Sequence, residues 1–219
     1  MKRLALFLFL LLSVLATGIV IKHATKPLTP PKTLPEKAVV LAFGDSLTYG
    51  TGAAREESYP FQLEKRIQRQ VINAGIPGEL SAEGLERLPL LLDRYRPSLL
   101  LLCHGGNDIL NKSPDSLLRA NLSAMIHLAR ERGIDVIVIA VPQFSLTGLD
   151  PHPIYEETAE SNGIPLEDDI LSELLSDSRY KSDYIHPNAA GYEKMAEAVE
   201  KVIREESIEW NKHERRKSR

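Results

Sequence analysis

A three-layer α/β/α architecture, with a parallel sheet between two layers of helices, is predicted by two features of this sequence. Short runs are wholly apolar, and amphipathic helical patterns alternate with them. Residues 38–43 (AVVLAF), 99–103 (LLLLC) and 136–140 (VIVIA) carry no charge, as strands covered on both faces require. Right-handed crossovers between such strands put all their carboxyl ends on one edge, where α/β sheets build their sites.

The elements follow in order. After the first strand, residues 58–70 place Tyr59, Phe61, Leu63 and Ile67 at roughly helical spacing, and a short strand is expected at 71–73. Residues 79–95 read as helical through Leu80, Leu85, Leu88 and Leu92, with Pro89 expected to kink or split the helix. The next helix is expected to be capped by Ser113, with Pro114 in its first turn and Gly133 as its stop. Residues 141–153 read as a loop rich in Pro and Gly. The closing helix, 189 to about 206, places Tyr192, Met195, Val199 and Val202 or Ile203 on one face. Four strands are predicted in this way. Any fifth belongs in the weakly patterned stretch before Ser182.

The ends of the chain are organised differently. Lys2 and Arg3 precede eighteen uncharged residues, 4–21, closed by Lys22 and His23. That is the layout of a signal peptide or signal anchor. At 1.5 Å per residue the run spans about 27 Å, just enough for a bilayer core. Val14-Leu15-Ala16 and Ala16-Thr17-Gly18 offer cleavage sites, but retention is favoured because the run exceeds the usual signal core. Pro27, Pro30, Pro31 and Pro35 make residues 24–37 an extended linker. The expectation is therefore export across an inner membrane, with the domain at 38–206 held off the bilayer or released. Residues 207–219 form a basic tail expected to be frayed. A net charge of -3 gives no reason to expect nucleic acid. The single cysteine, Cys103, excludes an intrachain disulfide and reads as a small buried hydrophobe. A monomer is expected, with no cofactor and no metal.

Four polar clusters carry the chemistry. Gly44-Asp45-Ser46-Leu47-Thr48 follows the first strand, where a serine between strand end and helix start can present its hydroxyl at the sheet edge. Alone this triplet is equally good turn chemistry. Asn73-Ala74-Gly75-Ile76-Pro77-Gly78 describes a tight loop with accessible amides. Gly105-Gly106-Asn107-Asp108 lets backbone approach a ligand closely and adds an uncharged donor, the Asn107 amide. Asp183-Tyr184-Ile185-His186-Pro187-Asn188 precedes the last helix. Serine attack on a carbonyl needs a base near neutral pKa and an acid to orient it, and Asp183 lies three residues before His186. His23 and His213 lie in the tails, His127 sits within a helix, and His152 lies in the long loop. His104 is the serious rival, yet no acid precedes it nearby.

In the order FGDSLTYG, NAGIPG, GGND, DYIHPN, these clusters resemble the SGNH (GDSL-like) hydrolase superfamily, in the branch of bacterial arylesterases and the multifunctional thioesterase/lysophospholipase. The resemblance covers about residues 38–206. It implies a flavodoxin-like fold with a five-stranded parallel sheet, and ester hydrolysis through an acyl-serine intermediate. Ser46 would be the nucleophile, His186 the base and then the acid, and Asp183 its orienting partner. The Ser46 and Gly78 N–H groups and the Asn107 amide would form the oxyanion hole. Asp45 would be structural. The chain departs from the family pattern at Cys103-His104, where members often carry a smaller or acidic residue.

Apolar residues near these clusters (Ile76, Leu110, Phe144, Leu146, Leu149 and Ile154) point to a small-molecule or lipid ester, aryl or acyl, as substrate. Three other readings compete. One is a carbohydrate O-acetyl esterase acting on envelope polysaccharide. Another is a non-catalytic tethered binding module that keeps the fold. The last is a binuclear metallophosphatase, which needs several histidines and an Asp-x-His at a strand end. Here the one such triplet, Asp150-Pro151-His152, lies in a proline-rich loop.

Overall fold

The computed structural model describes residues 34–217 apart from Thr147, with side chains described as far as residue 205. The expected leader at 1–23 lies outside the described residues, as does most of the linker at 24–37. Among the described residues no helix is long and apolar enough to cross a membrane.

In chain order the elements are β1 (Val39–Gly44), α1 (Ser46–Tyr49), α2 (Tyr59–Ile67), β2 (Gln70–Gly75), α3 (Ser81–Tyr95), β3 (Leu99–Cys103), α4 (Gly106–Leu110) and α5 (Asp115–Glu131). There follow β4 (Asp135–Ile139), β5 (Pro142–Phe144), β6 (Leu149–Pro151), α6 (Pro153–Asn162), β7 (Leu166–Glu167), α7 (Ile170–Ser176) and α8 (Ala189–Lys217). The main sheet has the order β2-β1-β3-β4-β7, and every pairing in it is parallel. This is the five-stranded α/β sandwich expected. Helices α3, α5 and α6 pack along one another, while α2 and α7 pack against α8.

The apolar runs explain the sheet. Leu99, Leu100, Leu101 and Leu102 are all fully buried, so both faces of β3 are covered. Each such side chain contributes about 1.5–3 kcal/mol relative to exposure. Strand order reverses at β1: the chain moves outward to β2, then crosses back to β3 on the other side. A crevice outside the strand ends opens at such a reversal. The register aligns Gly44 with Gly75 and with Cys103, so the polar clusters after β1, β2 and β3 leave the sheet from one line. Gly44 has to be glycine there, because a Cβ would lie 1.8 Å from the Cys103 carbonyl oxygen.

Several expectations need correction. Pro89 does not split its helix in two, and α3 runs unbroken through it. Buried Leu88 and Leu92 pin the flanking turns to the core and override the local preference. Helix α5 is capped by Pro114 without a side-chain hydrogen bond, and the Ser113 N–H donates instead to the Asp108 carbonyl. Strand β2 is twice the expected length. The loop at 141–153 contains a small antiparallel hairpin, β5–β6. Helix α8 continues past residue 206 to Lys217, and no Gly or Pro after Gly191 interrupts it.

Candidate active site

The first polar cluster is held by Asp45. This buried carboxylate caps α1, its Oδ1 accepting the Leu47 N–H at 3.0 Å. Its Oδ2 accepts the Gly106 N–H at 3.2 Å, which ties the loop after β1 to the loop after β3. Burial raises the Asp45 pKa above the usual carboxylate value, against the opposing pull of His104 and these two N–H groups. Ser46 follows as the first residue of α1, at the mouth of the crevice.

The fourth cluster reaches Ser46 from the other end of the chain. Lys181 and Pro187 form an antiparallel bridge, and Ser182 N–H donates to the His186 carbonyl at 2.9 Å, closing a tight loop. Within it Asp183 does two jobs. Its Oδ1 accepts the N–H groups of Ile185 (2.8 Å) and His186 (2.9 Å), fixing the turn. Its Oδ2 lies 2.8 Å from His186 Nδ1. His186 Nε2 in turn lies 2.9 Å from Ser46 Oγ. Desolvation, the largest influence on Asp183, would raise its pKa. The hydrogen bonds from the His186 ring and from the Ile185 and His186 N–H groups outweigh it and hold the carboxyl below its usual value. An ionised Asp183 accepts from Nδ1–H, which leaves the Nε2 lone pair facing the serine hydroxyl.

The remaining predicted donors come from the loops after β2 and β3. Gly78 adopts φ +82 and is exposed, and its N–H has no hydrogen-bond partner among the described residues. Asn107 Nδ2 donates to the Glu79 carbonyl at 3.0 Å, which fixes the amide and leaves its second hydrogen unused. Asp108 is buried and accepts from Ser81 N–H (2.8 Å) and Ser81 Oγ–H (2.7 Å), so it anchors the start of α3.

A cavity opens beside Ser46 and His186, walled by Leu110, Val141, Phe144, Leu149, Leu175 and Tyr184. Of the apolar residues expected from the sequence, Leu110, Phe144 and Leu149 line it. Ile76 is exposed but lies outside the lining. Leu146 is fully solvent-exposed at the hairpin tip, and Ile154 is buried in the core at the start of α6. Leu175 and Tyr184 escaped the sequence reading, since nothing in their local pattern says they face Ser46.

His104 is buried and hydrogen-bonded through Nε2 to Glu79, not to Ser46. His152 caps α6, its Nδ1 accepting the Ile154 N–H. Cys103 is buried and free, and burial pushes its thiol pKa well up. Among the described residues no group of three or more His, Cys, Asp or Glu side chains is placed to hold a metal ion.

Residues 42–194 match the profile of the GDSL-like lipase/acylhydrolase family. The chain belongs to that family. It is a carboxylic ester hydrolase, as the Ser46–His186–Asp183 geometry leads one to expect of a family member. It is 32% identical over 174 residues to an arylesterase of Vibrio mimicus, covering 75% of this chain and 86% of that protein. It is 28% identical over 156 residues to thioesterase 1/protease 1/lysophospholipase L1 of Escherichia coli K12, covering 68% and 75%. The crystal structure of TesA superposes with a TM-score of 0.71 at 28% identity, covering 77% of this chain and 99% of that one.

Proposed function

We propose that this acylhydrolase transfers the acyl group of an aryl or lipid ester to Ser46 and then to water. The observation that carries this reading is the hydrogen-bonded relay of 2.8 and 2.9 Å from Asp183 through His186 to Ser46 Oγ. His186 Nε2 takes the hydroxyl proton as Oγ attacks the carbonyl carbon. The tetrahedral oxyanion is held by the N–H groups of Ser46 and Gly78 and by the free hydrogen of the Asn107 amide. The protonated imidazole gives its proton to the leaving alcohol, and the acyl-serine forms. Water, deprotonated by the same Nε2, then attacks the acyl-serine. Collapse of the second tetrahedral intermediate returns the proton to Oγ and releases the acid.

The apolar walls of the cavity support an acyl or aryl group over a sugar as the part of the substrate that enters it. A chain-length series of p-nitrophenyl esters tests this. Activity rising from acetate to longer chains is expected, and activity confined to acetate would point instead to an O-acetyl esterase. The basic start and uncharged run of the first 23 residues support action outside the inner membrane, with the domain tethered or released.

A further inference from the structure

A buried ionic cluster lies directly behind the site, and the relay does not use it. Glu79 is held by Arg87 through two parallel hydrogen bonds, Nε to Oε1 at 2.5 Å and Nη2 to Oε2 at 2.6 Å. His104 Nε2 lies 3.0 Å from the same Oε2. The Glu79 and His104 side chains are 6% and 0% exposed and Arg87 is 21% exposed, so the carboxylate and the imidazole are shielded from water. Arg87 Nη2 also donates to the carbonyls of Ala74 (2.9 Å) and Gly44 (3.3 Å), and the guanidinium stacks over the Phe43 ring at 4.1 Å.

Between them these contacts lead to all three oxyanion donors. Gly44 is the end of β1, two residues before Ser46. Ala74 is the second-to-last residue of β2, and Glu79 itself directly follows Gly78. His104 ends the run into Gly105-Gly106-Asn107, and the Glu79 carbonyl accepts from Asn107 Nδ2. We infer that Glu79, Arg87 and His104 act as one positioning unit that sets the three oxyanion donors relative to one another, chiefly through the Glu79–Asn107 hydrogen bond. This inference rests on the proposed role of Asn107 as an oxyanion donor.

The chemistry of the cluster suits that task. A guanidinium fork fixes a carboxylate in plane as well as in distance, which a single point charge does not. Desolvation is the largest influence on Glu79 and would raise its pKa. The hydrogen bonds from His104 and Arg87, with the charge on Arg87, outweigh it and keep the carboxyl below its usual value. His104 Nδ1 has no partner among the described residues, so placing the ring proton on Nε2 as a donor to Glu79 leaves the least unsatisfied. Gly84 permits the contact: a Cβ there would lie 2.4 Å from His104 Nε2. A buried ion pair of this kind is weak evidence for stability, because desolvation offsets the attraction. Its geometry is the more informative feature.

The test is a double-mutant cycle of Arg87→Met with Asn107→Ala, with kcat, KM and inhibition by a trifluoromethyl ketone, whose hemiketal oxygen occupies the oxyanion position. Misplacement of a reacting group by 1 Å can cost about 100-fold in rate. Loss of the fork should cost about tenfold in kcat with KM little changed, and the ketone should weaken in parallel. On the Asn107→Ala background the same substitution should have an effect of no more than about threefold, because its main route of action is gone. An undiminished effect on that background, or wild-type kcat in folded Arg87→Met, would overturn the positioning role. Wild-type kcat in Asn107→Ala would overturn the oxyanion reading and the inference together. If Arg87→Met does not fold, Glu79→Gln in the same cycle keeps the backbone carbonyl and loses the charge, with the same outcomes expected.

Discussion

Asn107→Ala removes one donor from the proposed oxyanion hole and little else. The amide offers two hydrogens. One is fixed on the Glu79 carbonyl at 3.0 Å, which holds the amide in place before substrate arrives. A preorganised donor of this kind is worth about 2.7–4 kcal/mol of transition-state stabilisation, or about 100- to 1000-fold in kcat. The ground-state carbonyl gains less from it, so KM should change little. Loss of the bond to Glu79 should cost about 1 kcal/mol of folding stability, too little to unfold the domain. Steady-state hydrolysis of p-nitrophenyl butyrate, with a urea melt on the same sample, separates the two effects. A folded variant with kcat within about threefold of wild type would remove Asn107 from the oxyanion hole.

Other substitutions probe separate parts of the molecule. Asp183→Asn keeps an oxygen for the Ile185 and His186 N–H groups but turns an N–H donor towards Nδ1, which selects the wrong tautomer. With half of the Asp183 side chain exposed, kcat should fall roughly 10³-fold, less than the 10⁴-fold loss at a buried aspartate; retained activity would remove Asp183 from the relay. Phe144→Ala should raise KM for longer acyl chains and leave acetate unaffected. Ile154→Ala should lower stability by about 2–5 kcal/mol in a urea melt with kcat unchanged. The reverse pattern would restore Ile154 to the pocket. Burial, the main cause, raises Glu167 to about 7, helped by neighbouring Asp168 and Asp169. Its folded pKa exceeds the ordinary value of 4.5, so the stability it contributes is present below about pH 4.5 and lost as pH rises through 7. At 1.36 kcal/mol per pKa unit the loss is about 3 kcal/mol. In Glu167→Gln the decline in melting temperature between pH 4 and 8 should shrink, and parallel curves for the two proteins would contradict this.

Much of the fold is legible because its determinants are local. The runs at β1, β3 and β4 are apolar without interruption, and that alone marks them as covered strands. Asp183 and His186 sit three residues apart, so a single turn can join them. What stays hidden depends on distant neighbours. β7 is two residues long and is a strand only because Val138 and Ile139 lie beside it. Pro89 breaks a local rule that Leu88 and Leu92 override. Ile154 and Leu146 have the same apolar character, yet one is core and the other solvent, which depends on how the β5–β6 hairpin and α6 fold back. Glu79 and Arg87 are eight residues apart on either side of a helix start, and nothing in either residue type announces a buried fork. His104 looks like a rival base until its ring is seen to be buried against Gly84.

Ser46 is the residue on which the proposed chemistry depends. Labelling by a fluorophosphonate forms a covalent bond to an activated serine, and mass spectrometry locates it. One label is expected, on Ser46, with labelling and esterase activity both abolished in Ser46→Ala. Labelling of folded Ser46→Ala at wild-type rate, or esterase activity surviving that substitution, would contradict that role.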